Sequence, residues 1–279
     1  MQIHSISGSD SKNEVGDVFD ERDREHFPFL VTNLKPGLKD ENRVNVFLNG
    51  KFEFSLEISQ VVDLGVKVGK KLTAEDVANL RNASEFGKLY TNTLEWLLAR
   101  PRSVRETRDH LKKKKYNRGI ENRCRAENRE YKKAHPEENP YKNPDNLDEN
   151  GNLKFKNSRW AQKTTELPEI TDENIEAVVR RLEEKGYLDD EKFAKFYVEN
   201  RFVKKGISER RLRQELQKKG VSKHDIEMAF YAVPRNDTEE IKKIIAKKRK
   251  KYDDFRLVNY LVRQGFDYQL AQSLVHEKD

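Results

Sequence analysis

The residues that could carry covalent or metal chemistry are few and scattered. The six histidines, His4, His26, His110, His135, His224 and His276, form no zinc-site spacing with one another or with the single cysteine. Cys124 lies between Arg123 and Arg125, neighbours that would lower a thiol pKa, but an incidental surface cysteine is the simpler reading. Asp189, Asp190 and Glu191 crowd three carboxylates together, as a metal or acid–base site would. Here too a plainer role suffices: one aspartate caps the helix that follows, from Lys192 to Phe202, and its neighbours favour the positive end of that helix. No Gly-x-Gly-x-x-Gly or phosphate-loop pattern occurs. These residues point to no enzyme, no metal and no cofactor.

What remains is charge. The 279 residues hold 56 Lys and Arg against 49 Asp and Glu, a net of +7. Charged residues make up 38%, against about 25% in an average globular chain. The balance is uneven. Residues 1–26 hold three cations and seven acids, whereas residues 201–279 hold 20 cations and 12 acids. Three basic segments stand out: Lys112–Lys115, Arg210–Lys219 and Lys242–Lys251. On a helix from Ser208 to Lys219, Leu212 and Leu216 share one stripe, and Arg210, Arg211, Arg213 and Lys218 face away from it. With Lys113, Lys114, Lys247, Lys248 and Arg249 they are the candidate contacts to a polyanion, nucleic acid or an acidic protein surface. For any one of these residues a solvated helix face is the competing account.

The elements that must position these residues fall into two kinds. Residues 1–26 read as a disordered acidic tail, with too few large apolar groups to offset ordering. Val44, Val46 and Leu48 alternate up to Asn49-Gly50, and Phe52, Phe54 and Leu56 alternate beyond it, the pattern of a hairpin closed by a type I′ turn. Phe29–Leu34 adds a third antiparallel strand, and Thr73-Ala-Glu-Asp76 reads as a capping box opening a short helix. From Ser84 the pattern is helical, and it repeats. Ser103, Ser208 and Asp253 each open a helix with a leucine eight positions on, at Leu111, Leu216 and Leu261. Twelve positions on stand Lys115, Gly220 and Gly265, the last two suited to ending a helix. Each copy has a helix before and a helix after, so the unit is three helices used three times.

The expected organisation is thus a mainly α chain, a small β-hairpin or meander over 27–82 followed by three helical repeats at 83–190, 191–236 and 237–279. The first is interrupted. Its third helix is Thr171–Glu184, and by register Tyr116 and Ile170 take the place that Val221 and Phe266 fill later. Residues 117–167 read as an inserted, largely disordered loop, with a helix near 118–134 and a small hairpin at Leu147–Phe155, dispensable for folding. A helix-turn-helix reader is the rival architecture. Its recognition helix would start at Ser222 and offer Asp225 and Glu227 to the groove, with Lys223 as its cation, a poor set for reading bases. No apolar run approaches the roughly 18 residues a membrane helix needs. The polar start lacks the apolar core of a signal peptide, and a lone cysteine suits a reducing compartment. A cytoplasmic protein with no membrane association is expected.

Arg43-Val-Asn-Val-Phe-Leu-Asn-Gly50, Leu98-Ala-Arg-Pro-Arg-Ser103, Leu182-Glu-Glu-Lys-Gly-Tyr-Leu-Asp-Asp190 and Arg213-Gln-Glu-Leu-Gln-Lys-Lys-Gly-Val221 together resemble the RecX family, bacterial regulators of the RecA recombinase. The resemblance covers about residues 28–116 and 168–279, and the acidic tail, the insertion and Lys115 in place of glycine depart from it. It implies three tandem three-helix repeats after a β segment. It also implies a non-enzymatic, monomeric regulator of DNA repair, recombination and the SOS response. Such a protein binds the RecA–DNA filament, modulates strand exchange, inhibition being the expected sense, and has non-specific affinity for single- or double-stranded DNA. The nine cations named above are then candidates for the filament-binding surface. A nucleic-acid-binding helical protein independent of RecA is the alternative, and a purely protein-binding scaffold is a third.

Overall fold

The computed structural model describes residues 27–37, 40–149, 151 and 165–277. The acidic tail over 1–26 and most of the hairpin expected at Leu147–Phe155 lie outside these residues. The fold is mainly α, a small antiparallel sheet followed by tandem three-helix sets, and its contacts divide it into two units, residues 1–87 and 88–279.

In the first unit, β1 (Phe29–Pro36), β2 (Arg43–Leu48) and β3 (Lys51–Glu57) form a meander. A two-residue β4 (Lys71–Leu72), which the sequence pattern does not announce, pairs with the free side of β1. Asn49 and Gly50 have φ of 50° and 79°, as the predicted turn requires. The Asn49 side chain also pins the start of β1, accepting the Leu30 N–H at 2.9 Å and donating to the Pro28 carbonyl at 2.9 Å. Val31, Val46, Leu48, Phe54 and Leu56 face a core closed by Val66, Leu72, Val77 and Leu80. A short α1 (Ile58–Asp63) precedes α2 (Ala74–Leu98). The predicted capping box opens α2: the Asp76 carboxylate accepts the Thr73 N–H at 2.9 Å and the Thr73 hydroxyl accepts the Asp76 N–H at 3.1 Å. The Thr73 N–H, and the Thr73 hydroxyl, which also donates to that carboxylate at 2.9 Å, hold the Asp76 carboxyl below its ordinary range. The short helix expected there and the helical pattern from Ser84 are one 25-residue helix.

The second unit carries α3 (Val104–Ala134) and α4 (Asp172–Glu184), then α5 (Asp190–Asn200), α6 (Glu209–Lys218) and α7 (Lys223–Ala232), then α8 (Asp237–Lys248), α9 (Asp254–Arg263) and α10 (Tyr268–His276). The three aligned helices are α3, α6 and α9. Ser103, Ser208 and Asp253 are their N-caps, and Leu111, Leu216 and Leu261 are fully buried. Thr171, Ser222 and Asp267 cap the helices that follow. At the ends of α6 and α9, Gly220 and Gly265 adopt φ of 83° and 94°. The next N–H then reaches back three residues before the cap, Val221 to Leu216 at 3.2 Å and Phe266 to Leu261 at 3.3 Å.

The aligned residues also hold the copies to one another. The Ser103 hydroxyl donates to the Lys219 carbonyl at the end of α6, and the Ser208 hydroxyl donates to the Gln264 carbonyl at the end of α9, both at 2.7 Å. The Val104 N–H donates to Asp190 and the Glu209 N–H to Asp237, both at 2.9 Å. The starts of α3 and α6, where backbone donors lack intrahelical partners, are thus completed by the elements that follow. Burial pushes the Asp190 and Asp237 carboxyls above the ordinary aspartate range. In the Asp189–Glu191 cluster, Asp189 is the expected cap, accepting the Lys192 N–H at 3.0 Å, and Asp190 serves α3 instead.

This interlock corrects the reading of the first copy. A Cβ on Gly220 would lie 2.6 Å from the Cβ of Arg105, and one on Gly265 would lie 2.8 Å from the Ser208 hydroxyl. Glycine there admits the preceding copy. Among the described residues no three-helix set precedes the first to require a glycine at the corresponding turn of α3. Lys115 needs no glycine, and the helix runs through the expected loop start at 117 to Ala134. Tyr116 is consequently exposed, and Ile170 alone fills the register position, buried like Val221 and Phe266.

The added turns of α3 grip the returning chain. Arg118 donates to the Pro168 carbonyl at 2.6 Å, Asn122 exchanges two bonds of 2.9 Å with the Leu167 backbone, and Arg125 donates to the Thr165 carbonyl at 2.7 Å. Arg129 pairs with Glu166 at 2.7 Å. Beyond α3 the described residues of the expected irregular loop hold three single 3₁₀ turns, at Pro136–Glu138, Pro140–Lys142 and Pro144–Asn146. Proline at the first position of a turn costs no hydrogen bond, and Asn139 and Asn143 cap the second and third.

Candidate functional site

The aligned starts of α3, α6 and α9 put a cation ten positions on in every copy: Lys113, Lys218 and Arg263. Arg263 escaped the sequence reading because it stands outside the basic runs; comparing the copies position by position would have found it. Lys218 and Arg263 line one groove between α6 and the end of α9, with Arg210, Arg211, Gln214 and Glu215. Its volume is about 460 Å³. Arg210, Lys218 and Arg263 are exposed and have no ion-pair partner among the described residues.

The other predicted cations divide between open and engaged. Arg211 borders the groove but is bonded to the Gln264 side chain and lies 3.5 Å from Glu215. Arg213 is a clamp between α6 and α7. It binds Glu209 at 2.7 Å and Glu227 at 2.8 Å, with its guanidinium 4.3 Å from the centre of the Phe230 ring. Facing away from the leucine stripe did not leave it free, because α7 covers that side. Lys247 donates to the Lys204 carbonyl, Lys248 lies 5.3 Å from the Tyr260 ring, and Arg249 donates to the Val275 carbonyl at 3.1 Å. Lys113 is exposed, and half-burial lowers the Lys114 ammonium pKa.

Across α6 lies a second cleft, of about 570 Å³, lined by Arg100, Pro101, Phe193, Phe196, Tyr197, Asn200, Arg201, Glu215, Lys218 and Lys219. Glu215 and Lys218 belong to both grooves. Burial works against ionisation of Glu215, but the Tyr197 hydroxyl at 2.5 Å and Arg201 at 2.9 Å keep its pKa below the ordinary value. Burial and the same carboxylate push the Tyr197 phenol above its own. Among the described residues no cluster of three His, Cys, Asp or Glu could hold a metal ion, and no helix is long and apolar enough to cross a membrane.

The remaining unusual group near the start of α3 is His110. Its ring stacks on Trp96 with centroids 3.9 Å apart, and the Arg102 guanidinium sits 3.5 Å over the same indole. The His110 Nε2 is buried without a partner. Burial, then Lys114, Arg102 and Lys113, holds its pKa below 6.5. The unfolded chain therefore binds this proton more readily, so stability is complete above the unfolded value and falls as pH drops from about 6.5 toward the folded value. Urea melts between pH 7.5 and 5 should show that loss, and His110→Gln should flatten it; equal slopes for the two proteins would refute the assignment.

Residues 30–73 match a family described as the regulatory protein RecX N-terminal domain, and residues 189–229 match the RecX second three-helix domain. The chain is 25% identical to regulatory protein RecX of Bacillus subtilis over 258 residues, covering 90% of this chain and 77% of that protein. To the Bacillus licheniformis protein of the same name it is 23% identical over 257 residues, covering 89% and 77%. A crystal structure of regulatory protein RecX superposes with a TM-score of 0.57 at 18% identity, covering 89% of this chain and all of the other.

Proposed function

The chain belongs to the RecX family of regulatory proteins, and from that premise we propose that it binds the RecA–DNA filament and modulates, in the inhibitory sense, the recombinase in DNA repair and recombination. It acts as a monomer in the cytoplasm, by binding and not by catalysis, and has non-specific affinity for DNA. The observation that carries the reading is the open row of cations along α6 and α9. Arg210, Lys218 and Arg263 lie on one groove without partners among the described residues, and unpaired cations are what a polyanionic surface recruits. Lys113 extends the same repeat position into the first copy. The three successive helical repeats at 83–190, 191–236 and 237–279 present this surface, and the insertion after α3 is accessory to it.

The test is binding to a cognate RecA filament on single-stranded DNA, read together with strand exchange. Replacing Arg210, Lys218 and Arg263 together by glutamine should weaken filament binding about tenfold to a hundredfold at low salt. The slope of log affinity against log salt should fall by roughly 0.7–0.9 per lost phosphate contact. An unchanged slope would remove this groove from the mechanism. A wild-type protein without effect on strand exchange would overturn the regulatory reading, and DNA binding retained without filament binding would select a RecA-independent nucleic-acid binder.

A further inference from the structure

We propose that the cleft between α5 and α6 takes one unstacked nucleobase of a single strand, with the neighbouring phosphates passing over Lys218 into the adjoining basic groove. The inference deepens the DNA affinity proposed above and rests on it. Phe196 is the reason. Phe196 is 41% exposed in a cleft whose other apolar surface comes from Pro101, Phe193 and Tyr197 and whose walls carry Arg100, Arg201, Lys218 and Lys219. An aromatic face among cations is how proteins hold single strands: bases stack on the ring and phosphates meet the charge.

The surrounding groups complete that chemistry. Pro101 adds an apolar surface to the cleft. Asn200 donates its Nδ2 to the Phe196 carbonyl at 2.9 Å, which leaves its Oδ1 as an acceptor for a base amino group. Arg100, Arg201, Lys218 and Lys219 outnumber Glu215 on the walls. Arg100 and Lys219 are bound to Glu106 and Arg201 to Glu215, so these three are fixed and Lys218 is left open to a phosphate. Because Lys218 also borders the groove of Arg210 and Arg263, a strand leaving the cleft meets further cations without crossing an acidic surface other than Glu215. A duplex keeps its bases stacked and cannot deliver one to Phe196, so the site selects single strands.

The test compares a short oligothymidylate with a duplex of equal length by fluorescence anisotropy. Phe196→Ala should weaken single-strand binding roughly 5- to 100-fold and leave duplex affinity and the thermal melt unchanged. Phe196→Trp should retain affinity, and its added indole emission should be quenched by the oligothymidylate and not by the duplex. Equal weakening on both nucleic acids, or none on either, would overturn the proposal. So would a loss confined to DNA-free recombinase, which would assign the cleft to a protein partner. Wild-type protein that binds the filament but no free DNA would sink this inference and leave the regulatory reading standing; binding of the single strand without the filament would do the reverse.

Discussion

Replacing Glu240 by alanine should cost about 3–5 kcal/mol of stability, the range for breaking a buried ion pair from one side. Glu240 is 3% exposed. It accepts the Ile207 N–H at 3.2 Å, the Lys243 ammonium at 2.8 Å and the Arg235 guanidinium at 3.2 Å. The Arg235 side chain is 9% exposed, and its other bonds go to the Val198 and Arg201 carbonyls. Alanine at 240 would leave that guanidinium uncompensated and orphan the Ile207 N–H just before α6. Converting both partners to apolar residues, Arg235→Met with Glu240→Leu, should recover most of the loss, since an apolar pair has no charge to desolvate. Urea unfolding of the single and double variants checks this. A loss under about 1 kcal/mol in Glu240→Ala would mean that water reaches the pair.

Gly220→Ala should destabilise the protein by about 2–4 kcal/mol, combining left-handed strain of 1–2 kcal/mol with displacement of Arg105 from the packed junction. Gly186 supplies the control. Its φ is also positive, at 72°, but a Cβ there meets nothing within 4 Å, so Gly186→Ala carries the backbone strain alone. The difference between the two losses measures how tightly the first copy is docked on the second. Equal losses in parallel denaturant melts would show that Gly220 is needed only to end α6. The same comparison bears on the grooves, because Ser103, Arg105 and Lys219 meet at this junction and Lys219 lines the aromatic cleft.

Sequence alone determined what depends on near neighbours. The Asn49-Gly50 turn, the capping serines and aspartates, the leucine eight positions after each cap and the three copies are all local chemistry, written within a dozen residues and repeated. The unbroken run of α3 through residue 117 and the role of Asp190 were not legible, because each depends on which neighbouring copy the element meets; the helix end near Ala134 was. Tertiary structure alone decided which cations are free. Arg210 and Arg213 are three positions apart on α6, yet one faces an open groove and the other is held by Glu209, Glu227 and the Phe230 ring. Both grooves join residues far apart in the chain, Arg210 with Arg263 and Arg100 with Phe196. Charge acts through distance and desolvation, and neither is set by spacing along the chain, so a basic stretch marks where a binding surface can form and packing determines which of its cations remain to bind.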